Sequence, residues 1–253
     1  MRVSKPSKSR LDALLVARGL AETRTKAAAL VLAGVVYSGA RRLEKPGTPI
    51  ADDIPIEVRG APHPYVSRGG LKLAHGLDQF SIPVEGRLGL DVGASTGGFT
   101  DVLLKRGARR VYAVDVGYGQ LDIKLRNDPR VVVLERTNAR HLTTKEIPEP
   151  VDLIVCDASF IGLRLVLPAA MTLAANGAHL VALIKPQFEV GKGRVGKGGI
   201  VREPELHVEV CIRIQDWLAH DMRWTVIGLT DSPITGQDGN REFLIAATKP
   251  PAP

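Results

Sequence analysis

From residue 88 onward the chain alternates short apolar runs with amphipathic ones, and this rhythm constrains its fold more than any other feature. Runs at 88–92, 111–116, 131–134, 153–157 and 179–185 read as strands, and 98–106, 121–127, 163–175 and 205–220 carry helical periodicity. Consecutive parallel strands need a crossover, and a helix is the usual one. The alternation therefore predicts an α/β domain with a parallel sheet covered by helices on both faces. The rhythm breaks at the end. Residues 225–230 and 242–248 read as strands flanking a turn that contains Asp238-Gly239, a hairpin signal, so the last strand is expected to be antiparallel.

Composition narrows the functional classes. Hydrophobic residues make up 44% of 253, enough for a sizeable core, which excludes global disorder. The longest apolar stretches, such as 180–184, fall far short of the ~20 residues needed to cross a bilayer. No apolar segment follows the basic N-terminus, so no signal peptide is expected. Cys156 and Cys211 are the only cysteines and stand far apart, which excludes a disulfide scaffold and suits a reducing cytosol. With six His and two Cys lacking ligand spacing, no metal site is expected.

The net charge of +7 is uneven: residues 1–60 hold 11 Lys+Arg against 6 Asp+Glu, the remainder 23 against 21. Clustered positive charge fits a polyanion binder, although a solvated basic tail gives the same count. Residues 1–9 are polar and basic and read as disordered. A short helix then ends at Gly19, a second spans 23–33 with Thr23 as N-cap, and short strands follow at 35–37 and 54–58. Arg18, Arg24, Lys26, Arg41, Arg42 and Lys45 lie on or near the second helix and the turn after it. The stretch RLDALLVARGLAETRTKAAALVLAGVVYSG followed by KPGTPI resembles an S4 domain over residues 10–59. That resemblance implies a small α+β RNA-binding unit whose basic helix face grips phosphates of structured RNA. A Pro-rich linker at 60–66 separates it from a second domain at 67–250.

The most informative stretch is LGLDVGASTGGFTD, residues 88–101: a strand, a glycine turn, then a helix. Glycines allow close backbone approach, and a helix N-terminus favours negative charge. A dinucleotide fingerprint fails, because position 95 is Ser where glycine is required. Gly93-Ala94-Ser95-Thr96-Gly97 matches the hydrolase pattern G-x-S-x-G, but no oxyanion segment precedes it and no later His is distinctively set. An S-adenosylmethionine site places Asp91 and the turn Gly93, Ala94, Ser95, Thr96, Gly97, Gly98 and Phe99 against the amino-acid part. Asp115, 24 residues on and followed by Val116, then suits the ribose hydroxyls, and Asn138 and Ala139 the adenine. A merely tight turn remains the plain alternative.

Four more residues converge by topology. Asp157 ends the fourth strand and Lys185 the fifth, where open α/β sheets bind ligands. Glu242 begins an antiparallel strand and so reaches the same edge, and Lys72 lies just before the first strand. With these residues in place the chain resembles the FtsJ-like RNA ribose 2′-O-methyltransferases. The S4-like unit ahead of such a domain resembles most closely the TlyA (hemolysin A) family. The resemblance implies a Rossmann-like fold, S-adenosylmethionine as cofactor, and 2′-O-methylation of cytidine in ribosomal RNA, within a ribosomal subunit. It also implies a catalytic tetrad at Lys72, Asp157, Lys185 and Glu242. Thr96 stands where FtsJ-like proteins often have Pro. A ribose hydroxyl must be oriented and lose its proton as it attacks; a neutral Lys185 is one candidate acceptor.

Residues 186–204 form a basic glycine-rich segment. Its GKGRVGK run lacks the Ser or Thr of a P-loop, which excludes ATP. Lys192, Arg194 and Lys197 on a flexible loop, together with Arg68, are expected to contact RNA phosphates. A non-catalytic ribosome assembly factor and a membrane-active hemolysin are the competing classes. A monomer suffices for the leading one.

Overall fold

The computed structural model describes residues 7–21, 23–39, 41–58, 63–236 and 239–251, with the side chain of Lys192 excepted. Two compact units divide the chain, Met1–Pro62 and His63–Pro253.

In the larger unit the strands are β1 (Leu88–Val92), β2 (Arg110–Val114), β3 (Val131–Leu134), β4 (Val151–Cys156), β5 (Ala174–Ile184), β6 (Thr225–Asp231) and β7 (Phe243–Thr248). They form one sheet in the order β6-β7-β5-β4-β1-β2-β3. β1 to β5 run parallel, whereas β7 lies antiparallel to both β5 and β6. The helices are α1 (Gly69–Gln79), α2 (Gly98–Lys105), α3 (Ile123–Arg126), α4 (Leu163–Thr172), α5 (Pro186–Glu189) and α6 (Pro204–Asp216).

Strand alternation sends side chains to two cores. Leu88, Leu90 and Val92 join Val166 and Leu167 of α4 and Val210 and Ile214 of α6. Leu153, Val155, Val181 and Leu183 join Leu73 and Leu77 of α1 and Phe99, Val102 and Leu103 of α2 on the other face. With both faces covered, the central strands are mostly apolar, as is usual for parallel strands, with buried Asp91 in β1 an exception.

Register sets the site. Val92 lies opposite both Cys156 and Val114, Cys156 opposite Ala182, and Ile184 opposite Phe243. Gly93, Asp115, Asp157 and Lys185, each next in sequence after its strand, therefore emerge at one edge. Glu242 arrives there from the opposite direction. Strand order reverses between β1 and β4, the switch point where such sheets open a crevice.

Several sequence expectations need correction. Gly69–Gln79 forms a helix, α1, that the sequence reading did not include, and Lys72, which lies before the first strand as expected, is held on it. The expected helix at 121–127 shortens to α3, and that at 205–220 ends at Asp216 and widens into a π-helical turn over Trp217–Asp221. β5 starts at Ala174 rather than 179, and β2 stops at Val114, which frees Asp115 for the loop. Residues 63–66, read as linker, belong to the larger unit: the Val66 amide donates to Asp101 Oδ2 at 2.9 Å, and Lys105 lies over the Tyr65 ring.

In the small unit, Leu11–Ala17 and Arg24–Leu32 are helices that pack around Leu11, Leu15, Ala27, Val31, Val36 and Leu43. Thr23 caps the second, accepting from the Lys26 amide at 3.1 Å. Val36–Ser38 pairs with Arg41–Arg42 and with Glu57–Val58, which is all that remains of the strand expected at 54–58. Lys8–Arg10 pairs with Pro49–Ala51, so the basic stretch expected to be disordered is a strand at its end. Residues 1–6 of that stretch, 60–62 of the linker and Asp238 of the hairpin turn lie outside the described residues. Buried Asp12 draws in Arg10 and Arg24 at 2.8 and 3.2 Å, and these guanidinium groups hold its carboxyl well below the usual range.

Helices α1 and α2 cross at glycines. A Cβ on Gly98 would press on Ser67 Oγ and stand 3.0 Å from the Gly70 amide nitrogen. Gly98→Ala is expected to cost about 1–3 kcal/mol through overpacking, read as a lowered urea midpoint at unchanged m-value.

Candidate active site

β1 is buried at every residue, including Asp91. The acid points to the α2 side, where its Oδ2 accepts from the Thr100 amide at 2.9 Å and the Thr100 hydroxyl at 2.7 Å. Its Oδ1 is buried and receives no hydrogen bond. Burial pushes the carboxyl up to about 7; the Thr100 bonds oppose this, and the charges of Asp157 and Asp115 add to it. A buried carboxylate oxygen without a donor fits a cationic partner such as an ammonium group.

The turn after β1 needs its glycines. Gly93 and Gly97 have φ of +83° and +95°. A Cβ on Gly93 would lie 2.8 Å from Ala158 Cα, and one on Gly97 would run into Leu125. Ser95 also takes a positive φ, +49°, and its amide donates to Asp115 Oδ2 at 2.8 Å. Asp115 Oδ1 accepts from the Gly117 amide at 2.7 Å. The acid expected to meet ribose hydroxyls thus also shapes the turn; each oxygen keeps a lone pair for a ligand. Ala94, Ser95, Asp115, Gln120 and Glu135 line a recess here. Ser95, Thr96 and Val116 are exposed, whereas Phe99 is buried in α2. Asn138 and Ala139 stand apart from the recess lining: Asn138 caps the short turn Ala139–His141 and Ala139 faces the core.

The four tetrad candidates form two ion pairs. Lys72 Nζ stands 2.6 Å from Glu242 Oε2, with both side chains buried. Lys185 Nζ stands 2.7 Å from Asp157 Oδ1, and it donates to the Asp157 carbonyl at 3.0 Å and to Ser159 Oγ at 2.8 Å. The Asp157 amide donates to the Val92 carbonyl at 3.2 Å, which joins this pair to the end of β1. Gly69 at the start of α1 lies against the same acid, since a Cβ there would be 3.4 Å from Asp157 Oδ2.

The basic segment, expected as a flexible loop, carries short turns and anchoring hydrogen bonds. Asn240, buried, accepts from the Val201 amide and donates to the Gly199 carbonyl, both at 3.0 Å, and buried His207 lies 3.0 Å from the Val201 carbonyl. Gly198 and Gly199 take positive φ and Gly196 donates to Ile200, so the Lys197 turn is shaped. Arg194 is paired with Glu209. In the small unit Arg18 donates to the Ile54 and Asp52 carbonyls, Arg24 pairs with Asp12, and Arg42 with Glu44. Four expected phosphate contacts are therefore partly spent inside the protein. Arg41, Arg68 and Lys197 are exposed.

Sequence reasoning missed Ser159, Thr100 and Asn240. Their signals were adjacency alone: Ser159 is two residues past Asp157, and Asn240 two before Glu242. It also missed Phe160, nine-tenths exposed at φ +65°, its ring centroid 5.3 Å from that of Phe188.

The FtsJ-like methyltransferase family model matches residues 65–249. The chain is 50% identical over 239 residues to the Mycobacterium tuberculosis 16S/23S rRNA (cytidine-2′-O)-methyltransferase TlyA, covering 94% of this chain and 89% of the other. The chain belongs to the TlyA family of FtsJ-like methyltransferases. Within that family, YqxC of Bacillus subtilis, which carries an rRNA methyltransferase name, is 53% identical over 242 residues, covering 94% of this chain and 85% of its own. A solved structure bearing a hemolysin name, from Streptococcus thermophilus, superposes with a TM-score of 0.76 at 43% identity, covering 98% and 91% of the two chains. Among the described residues no helix is long and apolar enough to cross a membrane.

Asp91 gives this site a pH signature. Its folded-state pKa of about 7 lies above the ordinary 3.8, so between those values the folded chain holds a proton that the unfolded chain has lost. Its contribution to stability therefore grows as pH falls from 7 toward 4, by up to about 1.4 kcal/mol per pH unit. Subtracting Asp91→Asn urea stabilities from wild-type values across pH 4–8 should reveal that slope, and above pH 7 the variant should be the more stable protein.

Proposed function

We propose that this protein transfers a methyl group from S-adenosylmethionine to a ribose 2′-hydroxyl, that of cytidine, in ribosomal RNA. The observation that carries the reading is the meeting of two lysine–carboxylate pairs with the Asp91 turn at one sheet edge. When bound, S-adenosylmethionine supplies a methyl group activated on a sulfonium. The unpaired Asp91 oxygen is suited to its amino group, the Gly93–Gly98 turn to its amino-acid part and Asp115 to its ribose. The site fits the cofactor on those grounds.

The chain's own task is to hold a weak nucleophile in line and manage its proton. Lys185 Nζ donates to the Asp157 carbonyl and to Ser159 Oγ, and it stands against Asp157 Oδ1 as an ion pair without a hydrogen bond. One of an ammonium's three donors is left to meet the ribose oxygen and stabilise the charge that develops there as the proton leaves; a neutral Lys185 that accepts this proton is the alternative. Asp157 orients Lys185. Glu242 does the same for Lys72, and together the pairs wall the edge. Exposed Phe160, three residues from Asp157, suits stacking beside a nucleotide drawn out of its helix.

RNA docking falls to the basic S4-like unit, which recognises folded RNA by shape, and to exposed Arg41, Arg68 and Lys197. An assembled ribosomal subunit in the cytoplasm is the substrate this reading favours. A membrane-active role has no spanning helix among the described residues to support it.

Purified protein, methyl-labelled S-adenosylmethionine and ribosomal subunits from an unmodified strain form the test. Labelled 2′-O-methylcytidine should appear after RNA digestion, and Lys185→Ala should reduce it at least about 100-fold while cofactor binding persists. Label on a base, or none with any subunit or naked rRNA, would overturn the assignment.

A further inference from the structure

We propose that Ser159 is a positioning residue of this site, fixing the Lys185 ammonium in the direction that meets the substrate hydroxyl. The inference rests on the function proposed above and adds to it a residue outside the tetrad.

Lys185 reaches the edge on a long flexible side chain yet is buried around its nitrogen. Two of the three oxygens about Nζ, Asp157 Oδ1 at 2.7 Å and the Asp157 carbonyl at 3.0 Å, come from one residue. Only the carbonyl is hydrogen-bonded, and Oδ1 is a charge contact without a hydrogen bond, so these two leave the ammonium free to swing. Ser159 Oγ, at 2.8 Å, is the third point and comes from a different residue. It alone of the three carries a proton of its own, and Ser159 is exposed. While it accepts from Lys185, a hydroxyl keeps one further lone pair and its own O–H for a hydroxyl bound at the edge.

The backbone holds Ser159 in place. Residues 157–162 leave β4 through a turn that Phe160 reverses at φ +65°, a conformation side chains other than glycine's rarely adopt. The turn is pinned at both ends. The Asp157 amide donates to the Val92 carbonyl, and the Leu163 amide at the start of α4 donates to Glu189 Oε1 at 2.7 Å. Glu189 ends α5, which opens directly after Lys185. The serine and the lysine are thus referenced to the same short stretch of chain.

The test compares full-length wild type, Ser159→Ala and Ser159→Thr for kcat and KM on ribosomal subunits and for Kd of S-adenosylmethionine. Loss of a hydrogen bond to a charged group should lower kcat of Ser159→Ala by roughly ten- to a hundredfold. KM, Kd and Tm should stay near wild type. Ser159→Thr, which restores the hydroxyl, should recover most of the rate. An unchanged kcat in Ser159→Ala, or a threonine variant as slow as the alanine one, would overturn the proposal; so would a rate loss matched by lost cofactor binding. A second measurement separates this from the function itself. Water exchange of the Lys185 Nζ protons, read by nitrogen-15 NMR and assigned with Lys185→Arg, should quicken in Ser159→Ala. If wild type methylates no RNA, the proposed function falls, and the exchange rates still decide: equal rates sink the Ser159 assignment.

Discussion

Three buried charged side chains and one half-buried carboxylate meet at one edge of the sheet, and the arrangement depends on their pairing. Lys72 with Glu242, and Lys185 with Asp157, come from four segments far apart in sequence. Desolvating a charge costs several kcal/mol, and a buried pair seldom recovers more than it costs. Such groups persist where each has a counter-charge and its remaining polar atoms are satisfied. The parallel register supplies the counter-charge, because it brings Asp157 and Lys185 out side by side, although Asp157 Oδ1 accepts no hydrogen bond. The antiparallel β7 then delivers Glu242 from the opposite direction to face Lys72 on α1.

The same edge carries the opposite electrostatic situation. Asp91 is equally buried, but one oxygen is left without a donor and its neighbours Asp157 and Asp115 are acids. A folded chain tolerates such a group when a ligand completes it, so stability and binding are set against each other at this residue. In the proposed function the paired charges serve the reacting hydroxyl, and the unpaired one receives a cation. That division would place two substrates on adjacent parts of one crevice.

Much of this was legible in the sequence, and the reasons differ by residue. The strands are near-continuous apolar runs, so their ends, and with them Asp157 and Lys185, follow from where polarity resumes. The glycine turn announced itself because positive φ at Gly93 and Gly97 demands glycine. α1 was missed because two glycines open it, and glycine disfavours helix in isolation. Here Gly70 is required by contact with Tyr65 and with the α2 crossing, a tertiary reason with no local trace. Charge counting missed internal partners in a related way. Arg18, Arg24 and Arg194 look like a basic surface in sequence, yet each engages a carbonyl or carboxylate that only the fold brings near, and Arg42 meets Glu44 two residues on. Asn240 was invisible because its partners, Gly199 and Val201, are backbone groups of a distant segment.

Replacing a buried ion pair by apolar residues tests most directly whether these charges exist for chemistry. In Lys72→Met with Glu242→Leu, urea unfolding and methyl transfer to ribosomal RNA would be measured on the same preparation. The account predicts a chain as stable as wild type or more so, by up to about 4 kcal/mol, whose transfer rate falls at least about 100-fold. A variant that is destabilised yet still transfers methyl at the wild-type rate would contradict it, because the pair would then be part of the fold and not of the reaction.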